Sequence, residues 1–238
     1  KNCDNLVVSS QFLFDKYKKF NVPNLVRNGA DVSNFDIHKE HADFPNLHHF
    51  PKTNSKSIKV GYVGAIAEWF DVNLVRKVAL QNIDFEFHLC GDVTTEEAQQ
   101  LQGIDNIHLY GEIPYLNVAG FFQEMDVLTI PFKLVPIIQA CDPVKFYEYS
   151  AMEKPTVTVF GPTDPKQCAP LTDNGYVIYH PVDCGPCYLS YNYTNCSNNI
   201  CMTSINPDSV FQAVSLIIDK SNTKCIENQH KDIIEKCP

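Results

Sequence analysis

Short runs of Val, Ile, Phe and Leu recur along the chain, separated by longer stretches in which apolar residues return every three or four positions. The short runs predict strands at 5–9, 58–63, 84–90, 106–110, 126–131, 155–160 and 175–180. The longer stretches predict helices at about 10–20, 70–81, 94–102, 114–124, 142–152 and 206–220. Strands that are apolar along their whole length and alternate with helices imply a parallel sheet covered on both faces. The expected fold class is α/β, a Rossmann-like doubly wound parallel sheet. Pro114, Pro143 and Pro207 suit a first helical turn, where the missing N–H costs nothing, and Asp142 and Asn206 suit N-caps ahead of two of them.

Residues 32–57 break this rhythm. They hold His38, His41, His48 and His49 among prolines, Asn, Asp and Ser, and read as a linker after a first unit at 1–31. Such histidines are more often solvated loop residues than metal ligands. The main domain is expected over 58–223, with a tail or helix at 224–238.

Composition narrows the function classes. With 44% hydrophobic and 20% charged residues in 238, the chain is of ordinary globular make-up. Its net charge of -9 argues against a broad nucleic-acid or anionic-membrane platform. No apolar run approaches the roughly 18 residues of a membrane helix, and residues 1–20 do not have the build of a signal peptide. Six of the ten cysteines are scattered, and their placement points to a reducing compartment. The other four, Cys184, Cys187, Cys196 and Cys201, form a C-x2-C-x8-C-x4-C knuckle within 181–205. Structural zinc on four thiolates, two disulfides, or free thiols are the three readings, with zinc the first expectation. Four cysteine ligands would leave no open position on a zinc ion, so the role is structural in any case.

In an open parallel sheet, ligands gather at the carboxyl ends of the strands, over the following helices. Gly64, after strand 58–63, and Gly91, after strand 84–90, permit close backbone approach there. A tight strand-to-helix turn explains the same glycines. Neither G-x-G-x-x-G nor a Walker lysine motif occurs. In Asp142-Pro143-Val144-Lys145-Phe146-Tyr147-Glu148, Lys145 and Glu148 are three apart and share a helix face. A lysine at a helix start suits a diphosphate, and a carboxylate one turn on can accept two sugar hydroxyls. A capped helix with one exposed ion pair is the plainer alternative.

These segments resemble known enzymes. VVSSQFLFDKYKKFNVPNLVRNGADVSNF at 7–35 resembles the hinge of GT-B glycosyltransferases of the large retaining nucleotide-sugar family. The likeness continues through KVGYVGAIAEWFD, FHLCGD, NIHLYGEIPY, DVLTIPF and DPVKFYEYSAMEKPTV, and covers most of 7–157. From 153 to 218, EKPTVTVFGPTDPKQCAP, DCGPC and INPDSVFQAV resemble heptosyltransferase-like enzymes of lipopolysaccharide synthesis. Both resemblances imply the nucleotide-sugar-binding C-terminal half of a GT-B enzyme. They also imply a missing N-terminal half that carries the acceptor site for a cell-surface glycan or lipopolysaccharide. Carried over by position, Glu148 would bind the ribose, Lys145 the diphosphate, and Asp142 the donor sugar or the helix N-terminus, with backbone at Gly64 and Gly91 lining the cleft. No cofactor is implied for transfer itself, and the expected place is the cytoplasm, at most peripheral to the inner face of the membrane.

The departures matter as much. The first glutamate of the retaining family's E-x7-E falls on Ala140, and its Arg and Lys after the first strand fall on Ala65 and Phe70. The other family's glycine and histidine fall on Val144 and Tyr147. A non-catalytic nucleotide-sugar-binding or scaffolding module is therefore the alternative expectation.

Overall fold

The computed structural model describes residues 4–20, 22–41, 57–133, 135–154, 156–168, 175–187, 196–218 and 233–236. The chain divides into two compact units, Lys1–Lys154 and Pro155–Pro238.

The first unit begins with two short parallel strands, β1 (Val7–Val8) and β2 (Asn24–Leu25), around helix α1 (Gln11–Tyr17). Its centre is a four-stranded, wholly parallel sheet of β3 (Ile58–Val63), β4 (Phe85–Cys90), β5 (Ile107–Gly111) and β6 (Val127–Leu128). Helices α2 (Val72–Gln81), α3 (Glu96–Gln99) and α4 (Tyr115–Glu124) connect these strands. After β6 come α5 (Pro136–Gln139) and α6 (Val144–Ala151). The expected α/β class, with parallel strands and intervening helices, is borne out.

Period-two alternation in the strands sorts side chains to two cores. Val60, Tyr62, Phe87 and Leu89 pack against Val72, Val75 and Ala79 of α2 and Ala98 of α3. Val63 and Cys90 face the other way, onto Val118, Phe121 and Phe122 of α4 and Tyr149 of α6. Phe35 joins this second core, stacked at 5.9 Å on Phe122, so the 32–57 stretch contributes an anchor as well as a connection. His38 and His41 of that stretch are described; His48 and His49 lie outside the described residues.

Local caps account for several boundaries. Ser10, Asp71 and Thr95 accept from the backbone N–H of Leu13, Leu74 and Ala98, opening α1, α2 and α3. The Asn106 side chain reaches the carbonyls of Ala79, Asn82 and Phe85, closing the turn between α2 and β4. Lys154 donates to the carbonyls of Gln123 and Met125 at the end of α4. Pro114 and Pro143 sit one residue before α4 and α6 rather than in their first turns.

In the second unit β7 (Thr156–Phe160) and β8 (Gly175–Tyr179) pair in parallel, and β9 (Ile233–Lys236) joins β8 antiparallel. Helices α7 (Pro165–Cys168), α8 (Ile200–Thr203) and α9 (Pro207–Ile218) complete it. Pro207 is the first residue of α9, and Asn206 accepts from the Asp208 N–H at 2.9 Å, as its position predicts. Among the described residues, no helix is long and apolar enough to cross a membrane.

His88 of β4 is fully buried on the face of Cys90, with Nδ1 2.8 Å from the Tyr110 hydroxyl. Burial first, then the neighbouring His108 and Lys59, push its pKa down to about 3. An unfolded histidine titrates near 6.5, so below that pH the unfolded chain takes up a proton that the folded chain refuses. This contribution is fully present above pH 6.5 and is lost as pH falls toward 3, by up to about 1.4 kcal/mol per unit. Urea unfolding followed from pH 7.5 to 5 should show stability falling, less steeply for His88→Asn. Equal slopes would remove His88 as a cause.

Candidate functional site at the carboxyl ends of the central strands

The sheet order β5-β4-β3-β6 runs outward from β3 in one direction through β4 and β5, then returns to place β6 on its other side. The chain therefore reverses between β3 and β6, and in open sheets ligands bind at the carboxyl ends beside such a reversal.

The two expected glycines meet at this rim. Gly64 and Gly91 adopt φ values of +153° and +144°, and a Cβ on Gly91 would lie 1.9 Å from the Gly64 carbonyl oxygen. The Gly64 N–H donates to the Cys90 carbonyl at 2.8 Å, and the Gly91 N–H to that of Gly111 at 2.7 Å. A Cβ on Gly64 would meet the Tyr62 hydroxyl at 2.7 Å. Close packing of backbone on backbone is thus what Gly91 requires, while Gly64 requires a positive φ beside the Tyr62 ring.

Behind the rim the site is dry. Burial pushes the Cys90 thiol up to about 12, and raises the Tyr62 and Tyr149 hydroxyls above their usual range. Tyr62 donates to the Ala65 carbonyl, and Tyr149 of α6 to the Thr129 carbonyl just beyond β6. Phe70 is completely buried, 4.9 Å from the Tyr62 ring, and it bridges to Phe132. The position expected to carry a lysine is therefore core.

Charge collects on α6. Lys145 Nζ lies 2.8 Å from Glu148 Oε2, and Glu148 is only 2% exposed. This is no solvated surface pair: the carboxylate is enclosed and the ammonium reaches in to it. Tyr115, at the start of α4, has its hydroxyl raised first by burial and then by the charges of Glu148 and Asp31. Asp142 does not cap α6. The N-cap is Pro143, with no side-chain bond, while the Asp142 carboxylate accepts from the Asn28 N–H and the Tyr147 hydroxyl. The Tyr147 hydroxyl is raised by desolvation and by that hydrogen bond.

The chain is 26% identical over 191 residues to a Bacillus subtilis (strain 168) protein, TuaH, named as a teichuronic acid biosynthesis glycosyltransferase. The match covers 77% of this chain and 47% of that protein, so the chain spans about half the length of its curated relative. The chain is thus similar to a glycosyltransferase over most of its own length. Among solved structures, it is similar to a glycosyltransferase from Rickettsia africae at 14% identity, covering 90% of this chain and 58% of that one, with a TM-score of 0.49. An E. coli ADP-heptose lps heptosyltransferase II matches at 16% identity over 71% of this chain and 49% of its own, with a TM-score of 0.37. Neither structural likeness is strong enough to assign a site. No protein-family model matches the chain.

Sequence reading missed Tyr149 and Tyr115, whose partners lie far along the chain, and Tyr62, whose hydroxyl turns back to Ala65. An aromatic residue in an apolar stretch carries no sign of where its hydroxyl goes.

The cysteine knuckle lies wholly in the second unit. Cys201 is buried, and its thiol is raised by desolvation and then by the nearby Cys187, Cys184 and Cys196. The Asn199 N–H donates to Cys196 Sγ at 3.1 Å, and the Cys201 thiol lies 3.6 Å from Asn199 Oδ1. Among the described residues, no disulfide joins Cys184, Cys196 or Cys201. Among the described residues, no group of three or more His, Cys, Asp or Glu is arranged to hold a metal ion. The residues between Cys187 and Cys196 lie outside the described ones.

Two measurements follow. Gly91→Ala should lower stability by roughly 2–4 kcal/mol, because the new methyl must displace backbone rather than a flexible side chain. An unchanged melting temperature would show that the two turns separate freely. Alkylation of the native protein should modify exposed Cys184 and Cys196 first, with Cys201 slower and Cys90 slowest. Equal protection of all four knuckle cysteines, abolished by a chelator, would instead reveal a bound metal.

Proposed function

We propose that this chain is the donor-binding part of a glycosyltransferase that transfers a sugar from a nucleotide sugar to a cell-surface glycan or lipopolysaccharide acceptor. The observation that carries the reading is the Lys145–Glu148 pair, a buried carboxylate and a lysine together on α6. A carboxylate with two oxygens suits a pair of ribose hydroxyls, and a lysine beside it suits a diphosphate. A cation at that point stabilises the charge that grows on the departing diphosphate. Gly64 and Gly91 would border the nucleotide with bare backbone. The similarity to a glycosyltransferase over 77% of the chain supports the same assignment. An N-terminal half with the acceptor site, and a cytoplasmic location at the inner face of the membrane, belong to this proposal.

One observation favours a second reading. Phe70 is buried between Tyr62 and Phe132, and Ala65 carries no charge, so two basic groups of the resembling family are absent. A module that binds the donor without turnover fits that loss. The full-length protein distinguishes the readings: donor binding without hydrolysis or transfer would favour the module.

Calorimetric titration with UDP, GDP, ADP and their sugars should find one nucleoside diphosphate that binds. Lys145→Ala should weaken that diphosphate by about tenfold or more while changing the bare nucleoside little, since a charge-assisted contact is lost. Equal weakening of both would take Lys145 away from the phosphates. No binding of any nucleotide at millimolar concentration would overturn the proposal.

A further inference from the structure

Two polar stitches tie the loop before α6 to the first 31 residues. Ser10 accepts from the Leu13 N–H at 3.3 Å and donates its own proton to the Ala140 carbonyl at 2.7 Å. Asn28 holds Asp142 twice. Its backbone N–H donates to Asp142 Oδ2 at 2.8 Å, and its Nδ2 donates to the Asp142 carbonyl at 2.6 Å.

The rest of the carboxylate is also engaged. The Tyr147 hydroxyl, from the first turn of α6, lies 3.0 Å from Oδ1 and 3.2 Å from Oδ2. The Arg27 guanidinium stands 3.8 Å from Oδ1, and the Asp142 side chain is 10% exposed. An ionised carboxylate has about four acceptor positions, and here both oxygens already serve the protein. With its side chain only 10% exposed, the carboxylate offers a sugar hydroxyl little access. The helix amides gain nothing from it either, since α6 has no side-chain cap.

We propose that Asp142 is a positioning residue, a carboxylate latch that fixes residues 27–28 to the start of α6 and so sets where Lys145 and Glu148 stand. The positioning role rests on the nucleotide reading of that pair. Tyr147 makes the connection, because it takes the latch from within the helix turn that also holds Lys145 and Glu148. Opening the latch shifts both residues together. Every ligand bearing the diphosphate then weakens by one factor, whatever sugar it carries. A residue touching the sugar would act on the sugar nucleotide alone.

The test combines amide exchange with calorimetry on the intact chain, using the nucleoside diphosphate found above and its sugar. Asp142→Ala should speed exchange of the Asn28 amide by about tenfold or more while β3, β4 and β5 keep their protection. The same variant should weaken diphosphate and sugar nucleotide by equal factors of about five or more. Asn28→Ala, which removes only the Nδ2 bond to the Asp142 carbonyl, should weaken both as well, and the double variant, which loses both bonds, should be worse than either single one. Asp142→Asn keeps one acceptor oxygen and should fall between. Loss confined to the sugar nucleotide would make Asp142 a sugar ligand and overturn the latch. Unchanged Asn28 exchange would overturn it too. If the unaltered chain binds no nucleotide, the positioning role falls with the nucleotide reading, and exchange at Asn28 still decides whether the latch exists.

Discussion

Two peptide backbones touch where side chains normally keep them apart, and the site depends on it. The oxygen of Gly64 occupies the space in which any side chain at residue 91 would begin. That approach draws the turns after β3 and β4 into one rim. At two positions beside it no charge stands: Ala65 is small, and Phe70 turns inward to complete the core beneath. Charge has to come from elsewhere, and α6 supplies it.

The way α6 supplies it shapes what a ligand must offer. Glu148 is enclosed and its partner is Lys145, so drawing the lysine away exposes a buried carboxylate to the full cost of isolation. In the proposed function, an anion alone would be a poor ligand and so would a neutral polyol. A molecule that brings phosphate for the lysine and hydroxyls for the carboxylate satisfies both at once. A nucleoside diphosphate has that composition. The buried Cys90, Tyr62 and Tyr149 stay uncharged behind the pair and keep the surroundings of low polarity, where such exchanges of partner matter most.

Much of the fold was legible because its elements are long enough to show a period. Strands β3, β4 and β5 and helices α2, α4 and α9 fall within a few residues of their hydrophobic patterns. β2 has two residues and follows Pro23, too short for any alternation to register. β9 lies in a stretch that reads as a tail, and only pairing with β8 makes it a strand. Of the site, the Lys145–Glu148 pair could be read because its members are neighbours in sequence. Asp142 could not. Its place before a helix suggested a cap, but Asn28, 114 residues away, competes for the same carboxylate and holds it. Such competition is invisible to any reading that sees one helix at a time.

The Asn106 side chain carries a consequence for the order of assembly during synthesis. It completes the turn between α2 and β4 by reaching three carbonyls that lie 21 to 27 residues earlier. Until residue 106 is made, the α2–β4 turn has only its own backbone bonds, from the Asn82 N–H to the Ala79 carbonyl and from the Phe85 N–H to the Asn82 carbonyl. Once β5 emerges and docks beside β4, one amide fixes the turn and the new strand edge together. The corner between α2 and β4 thus gains its side-chain bonds only after the chain has grown through residue 106.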